Sequence, residues 1–459
     1  MIRKLLKLKN KFIRDKHLGE MAQKSAFSFG MRVLGLLVNY LFLFFVTHYY
    51  GAKGWGIFAL CFSMLQITSM IGTLGINVAF VKLIPQGYSN LKQLYNQVLK
   101  YAIPFNLALS ILIYFSAGFI GKFFSADGVA IDRYMQVASL GILPFSISMI
   151  NSGIFRGNKE IVRFSFYDSL GRFLWGGLCV FILHFFTNDL YTIIVGFVAG
   201  LYILSFISFK GVHKILAKKS LSIINDEGQN EIPKKFSISE LIKLSLPLFW
   251  SSFIMQGNTL ATTLVIGMYL PKQDVGMFDA SNRLANLLTI ILYAVNSISA
   301  PKFAEFAANK SMLEKNVQHS SKLIFIGTIP LFLIMLIGGP FMLRILEHQE
   351  VNSQNANLIF FIILFSQLVN NLSGSVTLLM QMTGYHRINQ NVSLFTFIFT
   401  TGMLFLITPV YGLIGASIIA GLNIILKNIV SVIIVYSRIE ILTVYSPTKK
   451  DMQWLMKRK

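Results

Sequence analysis

Apolar segments long enough to cross a lipid bilayer recur from one end of the chain to the other. We predict twelve of them, the first at residues 26–48, the second at 56–81, the fourth at 134–155, the eighth at 276–300 and the last at 412–436. A hydrocarbon core of about 30 Å needs roughly 20 apolar helical residues to span it. Because lipid offers no water to an unpaired backbone group, each segment must be a helix. The predicted fold class is therefore all-α, a polytopic membrane protein with about 12 transmembrane helices.

The composition also indicates lipid as the solvent of this chain. Hydrophobic residues make up 54% and charged residues only 13%, with a mean hydropathy of +0.62, which is more apolar than a soluble domain. The two cysteines, Cys61 and Cys179, lie inside apolar segments and have no Cys or His at metal-ligand spacing. We therefore predict no metal site and no cofactor.

Basic residues are distributed unevenly between the two sides of the predicted bundle. Of 41 Lys and Arg, 32 fall in the tails and loops on the side of the N-terminus, 5 fall in the opposite loops and 4 lie inside segments. Lys and Arg concentrate in cytoplasmic loops. We predict a multi-pass protein of the cytoplasmic (inner) membrane with both termini cytoplasmic. No nucleic-acid partner is predicted from the net charge of +22, because that would need a soluble basic face.

One long polar connection divides the spans six and six. Both halves then have the same orientation, which predicts a pseudo-two-fold axis along the membrane normal. Ser237 and Glu240 predict a capping box that begins the seventh span. The predicted organisation is a basic amphipathic cytoplasmic tail at 1–24, an N-terminal six-helix lobe at 25–209, a cytoplasmic linker at 210–240, a C-terminal six-helix lobe at 241–436 and a basic cytoplasmic tail at 437–459.

A faint internal repeat falls where this division expects one. Three residues recur at a constant offset of 220: Tyr49, Gly56 and Phe58 return as Tyr269, Gly276 and Phe278. A repeat at such a spacing is expected if the two halves are copies of one unit.

Two basic residues stand inside predicted spans without an acid one turn away. A charge there costs about 2.5–3.5 kcal/mol unless it finds a partner, a watery cavity or the interface. Arg32 either faces a cavity, with Asn39 on the same helix face, or snorkels to the headgroups. Lys427 lies near the middle of the last span and predicts a cavity or a bound anion.

Two further arginines each follow an acid by one turn. Arg172 follows Asp168 in the fifth span and Arg283 follows Asp279 in the eighth. An acid four residues before a base allows a contact along the helix. Each pair is therefore either purely structural or part of a binding cavity.

Amide side chains add polarity to the same spans. Asn258 in the seventh span and Asn370 in the tenth either form interhelical hydrogen bonds or line a cavity. A basic, amide-rich interior is typical of a site for an anionic, hydroxyl-rich headgroup. The predicted substrate-binding residues are Arg32, Arg283, Lys427, Arg172, Asn39, Asn258 and Asn370.

No reaction centre is visible in the sequence. The seven histidines are scattered, no HExxH, GxSxG or P-loop pattern occurs, and the outward loops are short. We therefore predict a transporter with no catalytic residues and no metal.

Three stretches carry a resemblance to a known family. They read FGMRVLG at 29–35, YGAKGWGIFAL at 50–60 and PVYGLIGASI at 409–418. These resemble Wzx-type polysaccharide flippases. That family belongs to the multidrug/oligosaccharidyl-lipid/polysaccharide exporter superfamily, with the lipid II flippases (MurJ) and the MATE exporters. The span that runs from SNRL at 281–284 to SAP at 299–301 is similar to one of the lipid II flippases.

The resemblance implies two six-helix lobes that rock about a central basic cavity. They would move an undecaprenyl-diphosphate-linked oligosaccharide from the cytoplasmic to the outer leaflet for O-antigen, capsule or exopolysaccharide synthesis. Arg32 and Arg283 match cavity arginines of the lipid II flippases. The implied partners are the lipid-linked glycan, the bilayer, a polysaccharide polymerase and a chain-length regulator.

Three alternatives stay open at this point. A lipid II flippase is one, although Val38 and Asn39 stand where those proteins carry a basic and an acidic residue. A MATE-like cation-coupled exporter of small molecules would be expected to have an acid in the first or seventh span, and neither has one. A membrane-embedded polymerase or acyltransferase is disfavoured because no reaction centre is present.

Overall fold

The computed structural model describes residues 16–86, 91–225, 237–347 and 353–445, and no strand occurs within these ranges. The helices are α1 Lys16–Thr73, α2 Ile76–Leu83, α3 Leu91–Lys122, α4 Asp132–Ser139, α5 Ile142–Gly157, α6 Ile161–Ser165, α7 Gly171–His184, α8 Tyr191–Asn225, α9 Ile238–Tyr269, α10 Lys272–Asn286, α11 Thr289–Glu305, α12 Lys310–Glu347, α13 Ser353–Leu372, α14 Val376–Met382 and α15 His386–Ile439. A π-helical turn, Phe166–Leu170, joins α6 to α7, and a 3₁₀ turn, Ile84–Gln86, follows α2.

Eight of these helices are long and apolar enough to cross a membrane, and ten spans result if each of two bent pairs counts as one. Large apolar side chains cover their outer faces, with Phe115 and Ile337 each 81% exposed. Such a surface requires a lipid environment. The predicted all-α, polytopic membrane fold is therefore confirmed, and the exact count of twelve stays a prediction.

Two of the long helices contain a break at a glycine. Gly51 in α1 has φ 71° and ψ 178°, and Gly412 in α15 has φ 59° and ψ −146°. Glycine adopts positive φ readily because it lacks Cβ. Both glycines follow a tyrosine, and both breaks fall at a predicted boundary between consecutive spans.

Two predicted continuous spans, 134–155 and 276–300, are each bent in the structure. The helices α4 and α5 meet at 44°, and α10 and α11 meet at 45°. In the first bend, Pro144 has no N–H for the carbonyl of Leu140, four residues earlier. The hydroxyl of Tyr202 donates to that carbonyl at 3.0 Å instead.

The second bend has a similar compensation without a proline. The Nδ2 of Asn371 donates to the Leu288 carbonyl at 2.8 Å and to Oγ1 of Thr328 at 3.0 Å. Inside lipid a bend is tolerated when a neighbouring side chain satisfies the released carbonyl. Both bends therefore depend on residues distant in sequence.

The described residues form two compact units. Unit 1 contains the described residues up to Val46 together with Cys61–Phe253. Unit 2 contains Thr47–Leu60 together with the described residues from Ile254 onward. These boundaries differ from the predicted lobes of 25–209 and 241–436, since 47–60 join unit 2 and 241–253 join unit 1. The predicted linker at 210–240 is also helical at its start, because α8 continues to Asn225. Its Val212 and Leu216 are buried in unit 1.

The predicted capping box is confirmed. The Glu240 backbone N–H donates to the Ser237 hydroxyl at 3.2 Å, and the Ser237 N–H donates to Oε2 of Glu240 at 2.9 Å. These bonds satisfy amides that the start of α9 leaves without helical partners.

The start of the predicted C-terminal tail at 437–459 packs against other parts of unit 2. Ile441 and Thr443 are fully buried, and Nε2 of Gln318 donates to the Leu442 carbonyl at 2.6 Å. The Lys310 ammonium bonds the carboxylate of Glu440, and this hydrogen bond lowers the pKa of Glu440.

Candidate functional site

Arg283 is held by a carboxylate that also binds a tryptophan. Its Nε donates to Oδ2 of Asp279 at 2.6 Å, which confirms the predicted contact along the helix. The indole Nε1 of Trp55 donates to the same oxygen at 3.0 Å. The guanidinium of Arg283 also lies 5.1 Å from the centroid of the Trp55 ring, within cation–π range. All three residues belong to unit 2.

A close helix crossing brings Trp55 to Asp279. A Cβ placed on Gly56 would lie 1.7 Å from the Lys272 carbonyl oxygen, and one on Gly276 would lie 2.0 Å from that of Ala52. Only residues without a side chain permit such an approach. The crossing fixes the start of the second predicted span against α10.

Lys427 lies half-buried on α15, and among the described residues it makes no hydrogen bond and no ion pair. Asn423, one turn before it, donates from Nδ2 to Oδ1 of Asn258 at 3.0 Å. The Oδ1 of Asn423 and the hydroxyl of Ser431 are buried and find no partner within the described part of the chain. A cation is therefore flanked by polar atoms able to bond a further polar group.

A row of amide side chains connects the helices that carry Lys427 and Arg283. It links α15, α13 and α10 by hydrogen bonds from Asn428 to Asn370 at 3.0 Å, from Asn370 to Gln367 at 3.0 Å, from Gln367 to Asn286 at 2.6 Å and from Asn286 to Asn282 at 3.3 Å. Asn428 is the neighbour of Lys427 in sequence, and Asn282 is the neighbour of Arg283. We call the amides of this row, with Asn258, Asn423, Arg283 and Lys427, the polar row of unit 2.

Unit 1 carries the other three predicted site residues. Arg172 donates from Nη2 to Oδ1 of Asp168 at 3.3 Å, which confirms that predicted pair, and it lies 5.3 Å from the centroid of Phe145. Arg32 is exposed and Asn39 is half-buried.

The helix that carries Arg32 and Asn39 touches the π-helical turn at one glycine. A Cβ on Gly35 would lie 3.0 Å from that of Ser169. Arg32 and Asn39 lie one turn before and one turn after this contact, and Arg172 follows Ser169 by one turn. The three residues are therefore on adjacent turns of two touching helices.

The sequence alone missed several members of these clusters. Trp55 is 224 residues from Asp279 in sequence, and no local sequence pattern predicts their contact. Gln367 and Asn286 were also not predicted, because one amide in a span does not reveal its partner. The offset of 220 was the available signal, since it singled out Gly56 and Gly276, whose crossing places Trp55 beside Asp279.

Comparisons with known proteins agree with this architecture. The family described as polysaccharide biosynthesis protein matches residues 51–349. The chain is similar in structure to the lipid II flippase MurJ in an inward closed conformation, at 16% identity and a TM-score of 0.71 over 90% of this chain and 87% of that one. No functionally curated protein matches it.

Two further solved structures share the fold. One is an inward-facing multidrug resistance MATE family transporter of the MOP superfamily, at 14% identity and a TM-score of 0.65 over 91% of this chain and 94% of that one. The other is a MOP superfamily transporter from Pyrococcus furiosus, at 13% identity and a TM-score of 0.58 over 92% and 96%. The chain has the membrane-transporter fold of these proteins and belongs to the polysaccharide biosynthesis protein family.

Proposed function

We propose that this protein is a flippase for an undecaprenyl-diphosphate-linked oligosaccharide. It would move the repeat unit from the cytoplasmic to the outer leaflet of the cytoplasmic membrane by alternating access, for O-antigen, capsule or exopolysaccharide synthesis. Both termini would lie in the cytoplasm and twelve spans would form two six-helix lobes. A polysaccharide polymerase and its chain-length regulator would act on the product.

The polar row of unit 2 is the observation that carries this proposal. It contains a hydrogen-bonded series of five amides on α10, α13 and α15, and the cations Arg283 and Lys427 are next in sequence to the two ends of that series. Polar and charged groups within a membrane are costly and usually mark the path of a substrate. Amides donate and accept hydrogen bonds, as sugar hydroxyls also do.

The charges in the row suit a diphosphate. A guanidinium presents paired donors that match phosphate oxygens, and an ammonium adds a mobile point charge. In unit 1 we propose Arg32 and Arg172 as further substrate-binding residues, with Asn39 as a hydrogen-bonding neighbour. The polyprenyl tail needs no polar site because it can remain in lipid.

The alternatives have less support from the described residues. A cation-coupled exporter would need an intramembrane carboxylate to bind the ion. The two acids in the predicted spans, Asp168 and Asp279, each bond an arginine. A lipid II flippase shares the fold, so only the choice of glycan separates it from our proposal.

Transport by the purified protein tests the proposal. In liposomes it should move a fluorescent polyprenyl-diphosphate sugar between leaflets and return it chemically unchanged. Chemical modification of the lipid would indicate an enzyme. Failure to move it, together with export of a cationic dye, would indicate a drug exporter.

A further inference from the structure

We propose that Trp55 and Asp279 form a positioning pair for Arg283, holding its guanidinium where the substrate diphosphate binds. This inference rests on the proposed function. It adds Trp55, which directly precedes the second predicted span, to a site whose other members in unit 2 lie on α9, α10, α13 and α15.

The pair restricts Arg283 in two ways. An acid and a base one turn apart on one helix can adopt several side-chain arrangements. Here the carboxylate is also bonded by Trp55, since Oδ2 of Asp279 accepts from Nε1 of Trp55 at 3.0 Å and from Nε of Arg283 at 2.6 Å. The Trp55 ring in addition lies 5.1 Å from the guanidinium. The guanidinium of Arg283 is therefore restricted by Asp279 through its Nε and by Trp55 through the indole ring.

Trp55 is itself rigidly placed. Its side chain is fully buried, and its ring packs 5.1 Å from that of Phe58. The adjacent Gly56 touches the backbone of α10 and leaves no room for sliding. A side chain fixed in this way can orient another group at little entropic cost.

The internal repeat shows that one half of the crossing forms without such a polar pair. The contacts exchange under the offset of 220, because Gly56 meets Lys272 while Gly276 meets Ala52. The positions equivalent to Trp55 and Asp279 under the same offset hold Val275 and Ala59, both buried and apolar. The hydrogen bond is thus present on one side of a symmetric contact, the side that carries Arg283.

The test measures the affinity of the purified protein for a short-chain polyprenyl diphosphate by calorimetry. Trp55→Phe removes the N–H donor and keeps a ring. We expect it to raise the Kd on the order of tenfold, because a hydrogen bond to a charged group is lost. In an Arg283→Lys background the same change should alter the Kd less than about twofold, since the group it positions is absent.

Two further variants complete the experiment. Trp175→Phe is the matched control, because the indole N–H of Trp175 is buried with no hydrogen-bond partner among the described residues. It should leave the Kd unchanged. Asp279→Asn keeps the size of the side chain and should also raise the Kd on the order of tenfold. It replaces Trp55→Phe in the experiment if Trp55→Phe does not fold.

The outcomes separate this inference from the proposed function. An equal loss of affinity in both backgrounds, or no loss from Trp55→Phe, would overturn the positioning role. Liposome transport is measured on the same samples. If the variants change the Kd as expected but the wild-type protein moves no lipid, the proposed function is overturned and the positioning pair is still supported. A wild-type protein that does not bind it would overturn both.

Discussion

At the scale of single residues, replacement of Lys427 distinguishes a substrate-binding site from a purely structural helix bundle. It is half-buried, and no hydrogen bond or ion pair joins it to another described residue. A structural lysine would be tolerated as methionine, because the desolvation cost of its charge would disappear. We expect Lys427→Met to reach the membrane at wild-type levels and to lose at least about tenfold in lipid transport. Lys427→Arg should be partly active because the charge remains.

Matched expression is the control for that comparison, with transport measured in the same vesicles. Wild-type transport by Lys427→Met would make the residue structural and would remove α15 from the proposed site.

The arginines should differ in their tolerance of lysine. Arg32→Lys and Arg283→Lys should each reduce transport more than Arg172→Lys, because a bidentate contact with phosphate needs the guanidinium. Arg172 lies on Phe145 and contacts Asp168, where a positive charge is the main requirement. Export complementation measures the ranking. Full activity of both Arg32→Lys and Arg283→Lys would disprove the bidentate contact.

At the scale of helices, the crossing of Gly56 and Gly276 is the tightest contact in the site. We expect Gly56→Ala and Gly276→Ala each to destabilise the protein by about 2–3 kcal/mol, because the new methyl group meets backbone oxygen and not a flexible side chain. Melting of the purified protein in detergent measures this effect. Gly402→Ala on α15 is the control, since nothing lies within 4 Å of its Cβ, and it should melt at the wild-type temperature or above.

The bend between α4 and α5 offers a second test of helix geometry. Tyr202→Phe leaves the Leu140 carbonyl unpaired and should cost about 1–3 kcal/mol. In a Pro144→Ala background the restored N–H can satisfy that carbonyl, so the cost should fall. The same melting assay applies, and an equal loss in both backgrounds would show that Tyr202 acts by packing only.

The sequence predicted the contacts that depend on one helix and missed those that join two. The capping box of Ser237 and the pair of Asp279 with Arg283 follow from residues three or four apart. The bond from Asn423 to Asn258 spans 165 positions, and nothing local specifies it. The helical start of the predicted linker was missed for a related reason, because burial of Val212 and Leu216 supports helix in a segment that reads as polar.

At the scale of the whole molecule, charge and hydropathy carry the prediction of topology. Basic residues favour the side that is predicted to hold both termini by 32 to 5, and such a bias orients membrane proteins with that side in the cytoplasm. Two exposed positions are predicted to lie on opposite sides of the membrane, namely Ala126 between α3 and α4 and Ser311 at the start of α12. Each is changed to cysteine in a variant that lacks Cys61 and Cys179.

An impermeant thiol reagent added to intact cells should label Ala126→Cys and not Ser311→Cys. After the membrane is permeabilised both should react, which is the control for exposure of each thiol. Labelling of Ser311→Cys in intact cells without labelling of Ala126→Cys would reverse the orientation. A diphosphate headgroup made in the cytoplasm would then meet the outer side of the protein first, so this result would also remove the direction of transport that we propose.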